Sequence, residues 1–276
     1  MRVNVLPGEL SEKYHSLLLP GIAEQIKADM PVTVLILSEG DIACGALAGY
    51  LKGSRFIISS LYVSPEFRHK GGGRLLLETL FEQLPEAVSG VEISYTETME
   101  EHQTLQPFLE ELDFEAEPNN GEAIYATTLG EILQSPFFAN AGKKIGVPFS
   151  RIDTSVLFSA SKEAEAANKP LPLGGLLTDT IDRNVSVAYI RNGRAENFIT
   201  VDSSCEAGLM LLPLEADVSK LPLTIGMLRS LIYGMKERYS PDTVIITYSL
   251  NNVNEAMIQK LFPAARAISY TYYRSV

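Results

Sequence analysis

The sequence predicts an α/β fold of the α+β type, built as two similar domains, each a mixed, mostly antiparallel sheet flanked by helices. Three observations carry that expectation. The chain has 276 residues, which suits two domains of roughly 100–200 residues. The same order of strands and helices recurs in the two halves. Charge is also divided: the residues up to Gln134 hold 8 basic and 21 acidic side chains, against 15 and 13 afterwards. Hydrophobic residues at 46% and charged residues at 21% fit a packed globular protein and exclude disordered, collagen-like and disulfide-scaffold classes.

Periodicity assigns the elements in order. After a first short strand, Leu10, Tyr14, Leu17, Leu18, Ile22 and Ile26 are spaced for a helix or a helix pair broken at Pro20-Gly21. Three strands follow at Val32–Leu37, Ile42–Leu51 and Phe56–Val63, separated by the turns Glu39-Gly40-Asp41 and Lys52-Gly53-Ser54, and they predict an antiparallel meander. Leu75, Leu76, Leu77, Leu80, Phe81 and Leu84 form a helical stripe that Pro85 ends. A strand at Val91–Tyr95, a helix at Thr104–Leu112 and a closing strand at Ala123–Thr128 complete a first domain over residues 1–131. Residues 132–149 read as a connector packed on the surface through Phe137, Phe138 and Phe149.

Residues 150–276 repeat the pattern: a strand near Ser155–Ser159, a helix at 161–168, strands at Val185–Ile190 and Phe198–Val201 around the turn Asn192-Gly193, and a strand at Gly208–Leu212. A helix over 224–238, a strand at Thr243–Tyr248, a helix at Asn254–Leu261 and a strand at Ala267–Tyr273 follow. The halves read as one architecture used twice.

The chemistry concentrates in Leu61-Tyr62-Val63-Ser64-Pro65-Glu66-Phe67-Arg68-His69-Lys70-Gly71-Gly72-Gly73-Arg74-Leu75, where a strand runs into an Arg-x-x-Gly-x-Gly loop that opens a helix. Such a loop presents successive backbone N–H groups with no side chains in the way, and the first helical turn adds unpaired donors and the positive end of its dipole. Arg68, Lys70 and Arg74 reverse the local charge in an otherwise acidic half, as an anionic ligand such as a pyrophosphate requires. A plain glycine turn is the simpler reading of the same residues. A Rossmann site lacks its third glycine, and a Walker loop lacks the Gly-Lys-Ser/Thr that must follow.

This run resembles the acetyl-CoA signature of the GNAT N-acetyltransferases, and the element order over residues 1–130 resembles their fold. The resemblance implies that amides from Arg68, His69, Lys70, Gly71, Gly72, Gly73 and Arg74 hold the pyrophosphate of acetyl-CoA. It also implies that the backbone at Tyr62 and Val63 pairs with the pantetheine arm between two splayed strands, the second being Val91–Tyr95. Transfer in this family goes directly from thioester to amine, so groups must accept the amine's proton and protonate the thiolate. Here the chain departs from the family: Leu109 stands where a general-acid tyrosine usually stands, and His102 where an asparagine does. Glu97, Glu100 and Glu101 follow the strand bordering the cleft, and Glu97 and His102 are the candidate catalytic residues. A solvated acidic loop at a helix N-terminus and a surface histidine are the alternative readings. The C-terminal half resembles a degenerate copy: Pro222 lacks a donor, only Gly226 is available, and Glu215 and Asp217 repel phosphate.

The expected activity is an N-acetyltransferase acting on a small-molecule or peptide amine, with acetyl-CoA as co-substrate and no metal, since the three histidines His15, His69 and His102 form no ligand pair. A non-catalytic acyl-CoA-binding or regulatory protein is the alternative. The acidic balance, net −11, disfavours nucleic acid. No apolar run approaches the ~18 residues of a membrane span. Cys44 and Cys205 show no disulfide or zinc spacing, so a reduced cytoplasmic protein is expected, and homodimerisation stays open.

Overall fold

A computed structural model describes residues 1–6, 12–18, 22, 31–96, 105–119, 121–139, 142–169, 171–172, 174–212 and 221–276. Its strands are β1 (Arg2–Leu6), β2 (Val32–Glu39), β3 (Ile42–Lys52), β4 (Arg55–Val63), β5 (Gly90–Thr96), β6 (Glu115–Ala116) and β7 (Glu122–Thr128), then β8 (Val147–Pro148), β9 (Val187–Arg191), β10 (Arg194–Asp202), β11 (Leu209–Leu212), β12 (Val244–Leu250), β13 (Arg266–Ala267) and β14 (Ser269–Ser275). The α-helices are α1 (Gly72–Gln83), α2 (Leu105–Glu110), α3 (Leu129–Gln134), α4 (Pro136–Ala139), α5 (Thr154–Ala166), α6 (Leu221–Lys236) and α7 (Asn252–Leu261).

Two seven-stranded sheets form, with orders β1-β2-β3-β4-β5-β14-β6 and β8-β9-β10-β11-β12-β7-β13. The second order is the first shifted by seven strands, with one reciprocal exchange: β14 sits where β7 would, and β7 sits where β14 would. This corrects a division at residue 131. The closing strand predicted at Ala123–Thr128 belongs to the second sheet, where Glu122–Thr128 pairs with Val244–Leu250 in seven consecutive antiparallel positions. The chain's last strand completes the first sheet, pairing Tyr272 and Tyr273 with Ala116 and Glu115. The chain accordingly forms two compact units, the first including residues 270–276 and the second residues 119–269.

In the first unit the meander is antiparallel as the turns predict. Strand β2 is buried on both faces, which explains its unbroken apolar run. Leu35 and Leu37 pack with Leu76, Leu77 and Leu80 of α1, while Val34 and Ile36 pack with Leu17, Leu18 and Ile22 on the other side. Helix α1 ends at Leu84, which turns extended before Pro85. Strand β14 is seated by Tyr273. Its hydroxyl donates to the Ser89 carbonyl at 2.9 Å, and the Arg55 guanidinium lies 4.4 Å from its ring centre. Gly90 is required beneath that ring, because a Cβ there would come within 2.4 Å of Tyr273 atoms. Arg55 in turn bridges Glu92 and Glu117, each at 3.0 Å.

Two further expectations change. The strand predicted at Ser155–Ser159 is the start of α5: Asp153 caps it by accepting the Ser155 N–H at 2.8 Å. Leu157, Ala160 and Ala164 recur at helical spacing on its buried face. The short apolar run alone did not distinguish the two states. The segment 132–149 is no surface connector. It holds α4 and β8, and Phe138 and Phe149 are fully buried, Phe138 stacking on Phe262 at 5.9 Å. Phe138→Ala should therefore cost about 3–5 kcal/mol in urea unfolding, whereas a surface connector would show a change within about 0.5 kcal/mol.

The second unit carries an acid-sensitive contact. Burial alone would raise the Asp182 carboxyl, but the Tyr239 hydroxyl at 2.7 Å, the Asn184 N–H and Arg238 outweigh it and hold Asp182 below its ordinary value. The same burial and the carboxylate push Tyr239 up to about 12. A depressed carboxyl stabilises the fold above its unfolded pKa, and that contribution fades as pH falls through the folded one. Asp182→Asn should cost about 1.5–3 kcal/mol at pH 7, and the deficit should shrink below about pH 4 when stability is measured across pH.

Candidate acyl-CoA site

The site arises where two parallel strands stop pairing. Strands β4 and β5 are in register only over Arg55–Ile58 and Gly90–Ile93. A bulge between Ile58 and Ser60, opposite Gly49 and Ala48, bends β4 at that point. Beyond it β4 runs on to Val63 with β3 on one side and, among the described residues, no strand paired on the other, leaving an open edge, or gap. The Ser64 N–H donates to the Cys44 carbonyl at 2.8 Å, so the Ser64/Cys44 and Tyr62/Ala46 positions are hydrogen-bonded pairs of the ladder. Leu61 and Val63, opposite Leu47 and Gly45, consequently turn their backbone groups toward the gap.

Of the two backbone residues predicted for the pantetheine track, Val63 faces the gap. Tyr62 bonds to β3 instead and sends its side chain to the cluster around Leu17 and Ile36. Leu61 is the residue that shares Val63's orientation. Sequence reading missed Leu61 because ladder parity depends on the bulge, which carries no local signal in Ile58-Ser59-Ser60.

At the end of β4 the chain makes a 3₁₀ turn over Pro65–Phe67 and enters the glycine loop. His69 and Gly71 both adopt positive φ, at 58° and 81°. Gly71 is the N-cap of α1, no side chain caps the helix, and a Cβ at Gly71 would meet nothing within 4 Å. The first intrahelical bond runs from the Leu75 N–H to the Gly71 carbonyl at 3.0 Å. The amides of Gly71, Gly72, Gly73 and Arg74 therefore have no partner in the helix itself, and they stand at the positive end of its dipole. Gly72 and Gly73 also let α1 sit close, against Leu37 and Phe108.

The predicted cations surround this loop with separate tasks. Arg68 donates its Nε to the Val63 carbonyl at 2.9 Å and lies 5.9 Å from the Tyr62 ring centre. Lys70 stands 5.1 Å from the Phe67 ring centre, and Arg74 pairs with Glu111 at 3.0 Å. His69 is exposed. The loop thus places Arg68, His69, Lys70, Gly71, Gly72, Gly73 and Arg74 in one turn beside the gap. A linear ligand with a polyanionic end and an amide-bearing arm fits the two features together, the anion at the free amides and the arm along Leu61 and Val63.

The proton-transfer candidates are less completely placed. Glu97, Glu100, Glu101 and His102 lie outside the described residues. Leu109 is fully buried in the apolar cluster beneath α2, so it packs and transfers no proton. In the second unit β11 pairs with β12 over Leu209–Leu211, leaving one residue, Leu212, beyond the ladder; its carbonyl already accepts the Thr200 hydroxyl at 2.9 Å. Gly226 serves the close approach of Ile145, whose N–H bonds its carbonyl at 3.1 Å. Asn251 caps α7 through the N–H groups of Val253 and Asn254. The features that build a slot in the first unit are spent on packing here, and residues 213–220 lie outside the described residues.

The parted strands and the glycine-led helix start set an open strand edge beside amides that have no partner within the helix. Residues 8–114 match the model of the Acetyltransferase (GNAT) family. Over 100% of this chain and 99% of the other, the structure is similar to an acetyltransferase of the GNAT family from Colwellia psychrerythraea, with 14% identity and a TM-score of 0.58, so the two share a fold across both units. It is also similar to a tandem GNAT protein from the clavulanic acid biosynthesis pathway (12% identity, 88% of this chain and 82% of that one, TM-score 0.49). An IAA acetyltransferase from Bacillus cereus is a further neighbour (19% identity, 42% and 78%, TM-score 0.34). No protein of curated function matches the sequence. The chain thus has a fold of two similar units in tandem.

Gly71→Asp tests the anion site. The position has room for a side chain but holds φ at 81°, and aspartate tolerates that region better than most residues, so stability should fall by about 1–2 kcal/mol. The carboxylate should weaken coenzyme A binding about tenfold or more by repulsion at the free amides, as measured by titration calorimetry.

Proposed function

We propose that the first unit binds acetyl-CoA and transfers its acetyl group directly to the amine of a small molecule or peptide. The observation that carries this reading is the junction of two features: four helix-start amides with no cap, and a strand whose backbone turns into a gap. The amides suit the diphosphate, while Leu61 and Val63 suit the amides of the pantetheine arm. In that pose the thioester runs along β4 toward the bulge, where the sheet is open to an acceptor.

The reaction requires little covalent help from the protein. The amine nitrogen attacks the thioester carbon, the C–N bond forms and the C–S bond breaks. One proton leaves the nitrogen and one reaches the thiolate sulfur. We assign the proton-accepting role to Glu97, directly or through water, and a proton-transfer role to His102, because in the sequence Glu97 follows directly on β5 and His102 stands between β5 and α2. The acceptor is read only as an amine. The acidic balance of the residues up to Gln134 favours a cationic one. The second unit acts as support, and no second acetyl-CoA is expected there. The free thiols of Cys44 and Cys205 suit a reduced, cytoplasmic setting. The buried Leu109 favours a second reading, an acyl-CoA-binding protein without turnover.

Thiol release from acetyl-CoA should be measured over a panel of amines, with coenzyme A binding measured on the same samples. Turnover with one bound coenzyme per chain is expected. His102→Ala and Glu97→Gln should each lower turnover about tenfold or more without weakening coenzyme binding. Binding with no turnover across the panel supports the second reading.

A further inference from the structure

The two banks of the gap are held differently. Strand β4 keeps its β3 partner along its whole length, from Lys52/Arg55 to Gly45/Val63. Strand β5 loses β4 after Ile93, so among the described residues Ser94, Tyr95 and Thr96 have a strand on one side only, and that strand is β14. The contacts there are specific. The Ser94 and Thr271 hydroxyls lie 2.9 Å apart and share a hydrogen bond. The Tyr95 ring lies 5.5 Å from that of Tyr270 and is stacked 6.0 Å from that of Tyr272. A strand end flanked on one side is only as well placed as its one neighbour, and cross-strand pairs are what fix it.

We infer that Thr271 and Tyr270 are positioning residues for the acyl-CoA arm: through Ser94 and Tyr95 they set the width of the gap, so the last strand of the chain decides whether the arm fits. This rests on the acetyl-CoA reading above. The start of α1 is seated by other residues, Leu37 and Phe108, whereas β14 meets α1 farther along, where Arg274 lies 4.1 Å from the Phe81 ring centre. The two halves of the ligand therefore report separately. The nucleotide end reads the α1 amides, and the arm reads the spacing of β4 and β5.

The test uses the full chain and two probes: coenzyme A, and 3′-phosphoadenosine 5′-diphosphate, which is coenzyme A without its arm. Tyr270→Leu and Thr271→Val should weaken coenzyme A by about tenfold and about fivefold respectively, with the nucleotide half bound within about twofold of wild type. Tyr270→Phe keeps the ring and should bind coenzyme A as wild type does. Equal weakening of both probes would show a general loss of fold and overturn the inference, as would unchanged coenzyme A affinity in both variants. A wild-type chain that binds neither probe removes the acetyl-CoA reading, and this inference with it; one that binds the nucleotide half as tightly as coenzyme A leaves the anion site standing and overturns the role of the gap.

Discussion

The structure of the first unit depends on one interruption: a parallel pair of strands that holds for four positions and then opens. Backbone N–H and C=O groups are obligatory hydrogen-bonding groups, and a strand edge left open inside a sheet calls for water or a ligand. The bulge before Ser60 turns β4 away from β5, and the turn at Pro65 carries the chain to a helix whose first amides are also unpartnered within it. Both sets of groups are aimed by backbone geometry, so the site needs few particular side chains. Arg68 ties the two together, since its backbone belongs to the loop while its Nε holds the last carbonyl of β4.

The exchange of β7 and β14 makes the two units interdependent in sequence. The first sheet takes its sixth position from residues 269–275, and the second takes its own from residues 122–128. Such pairings span long loops, whose closure is entropically costly and slow. Neither unit corresponds to a contiguous stretch of chain. The seven continuous pairs between β7 and β12 show the exchanged strand in its simplest role, closing a sheet, whereas β14 borders an opening.

Most elements were legible because their signals are local. The turns Glu39-Gly40-Asp41 and Lys52-Gly53-Ser54, the leucine stripe of α1 and the glycine loop each lie within a dozen residues, and their pattern and spacing state what the backbone does. The repeat was legible for the same reason, as an order of local elements. The strand exchange was not, because Ala123–Thr128 and Ala267–Tyr273 are both ordinary apolar strands, and nothing within either says which sheet it joins. Ser155–Ser159 misled because a short apolar run fits both periods, and the cap at Asp153 decided it. Phe138 and Phe149 looked like surface anchors amid polar residues, yet each fills a core position set by long-range packing. The place of the glycine loop between β4 and α1 is legible in the sequence, while which of Leu61 and Tyr62 turns its backbone to the open edge is set by a bulge without a sequence signature.

The central claim is that one ligand spans the free amides of α1 and the open edge of β4. Amide NMR of the labelled chain titrated with coenzyme A tests this most directly. The account predicts shifts concentrated at Gly71, Gly72, Gly73 and Arg74 together with Leu61 and Val63, and none in the amides of α6 or β11. Shifts in the glycine loop alone, or shifts centred on the second unit, would contradict it.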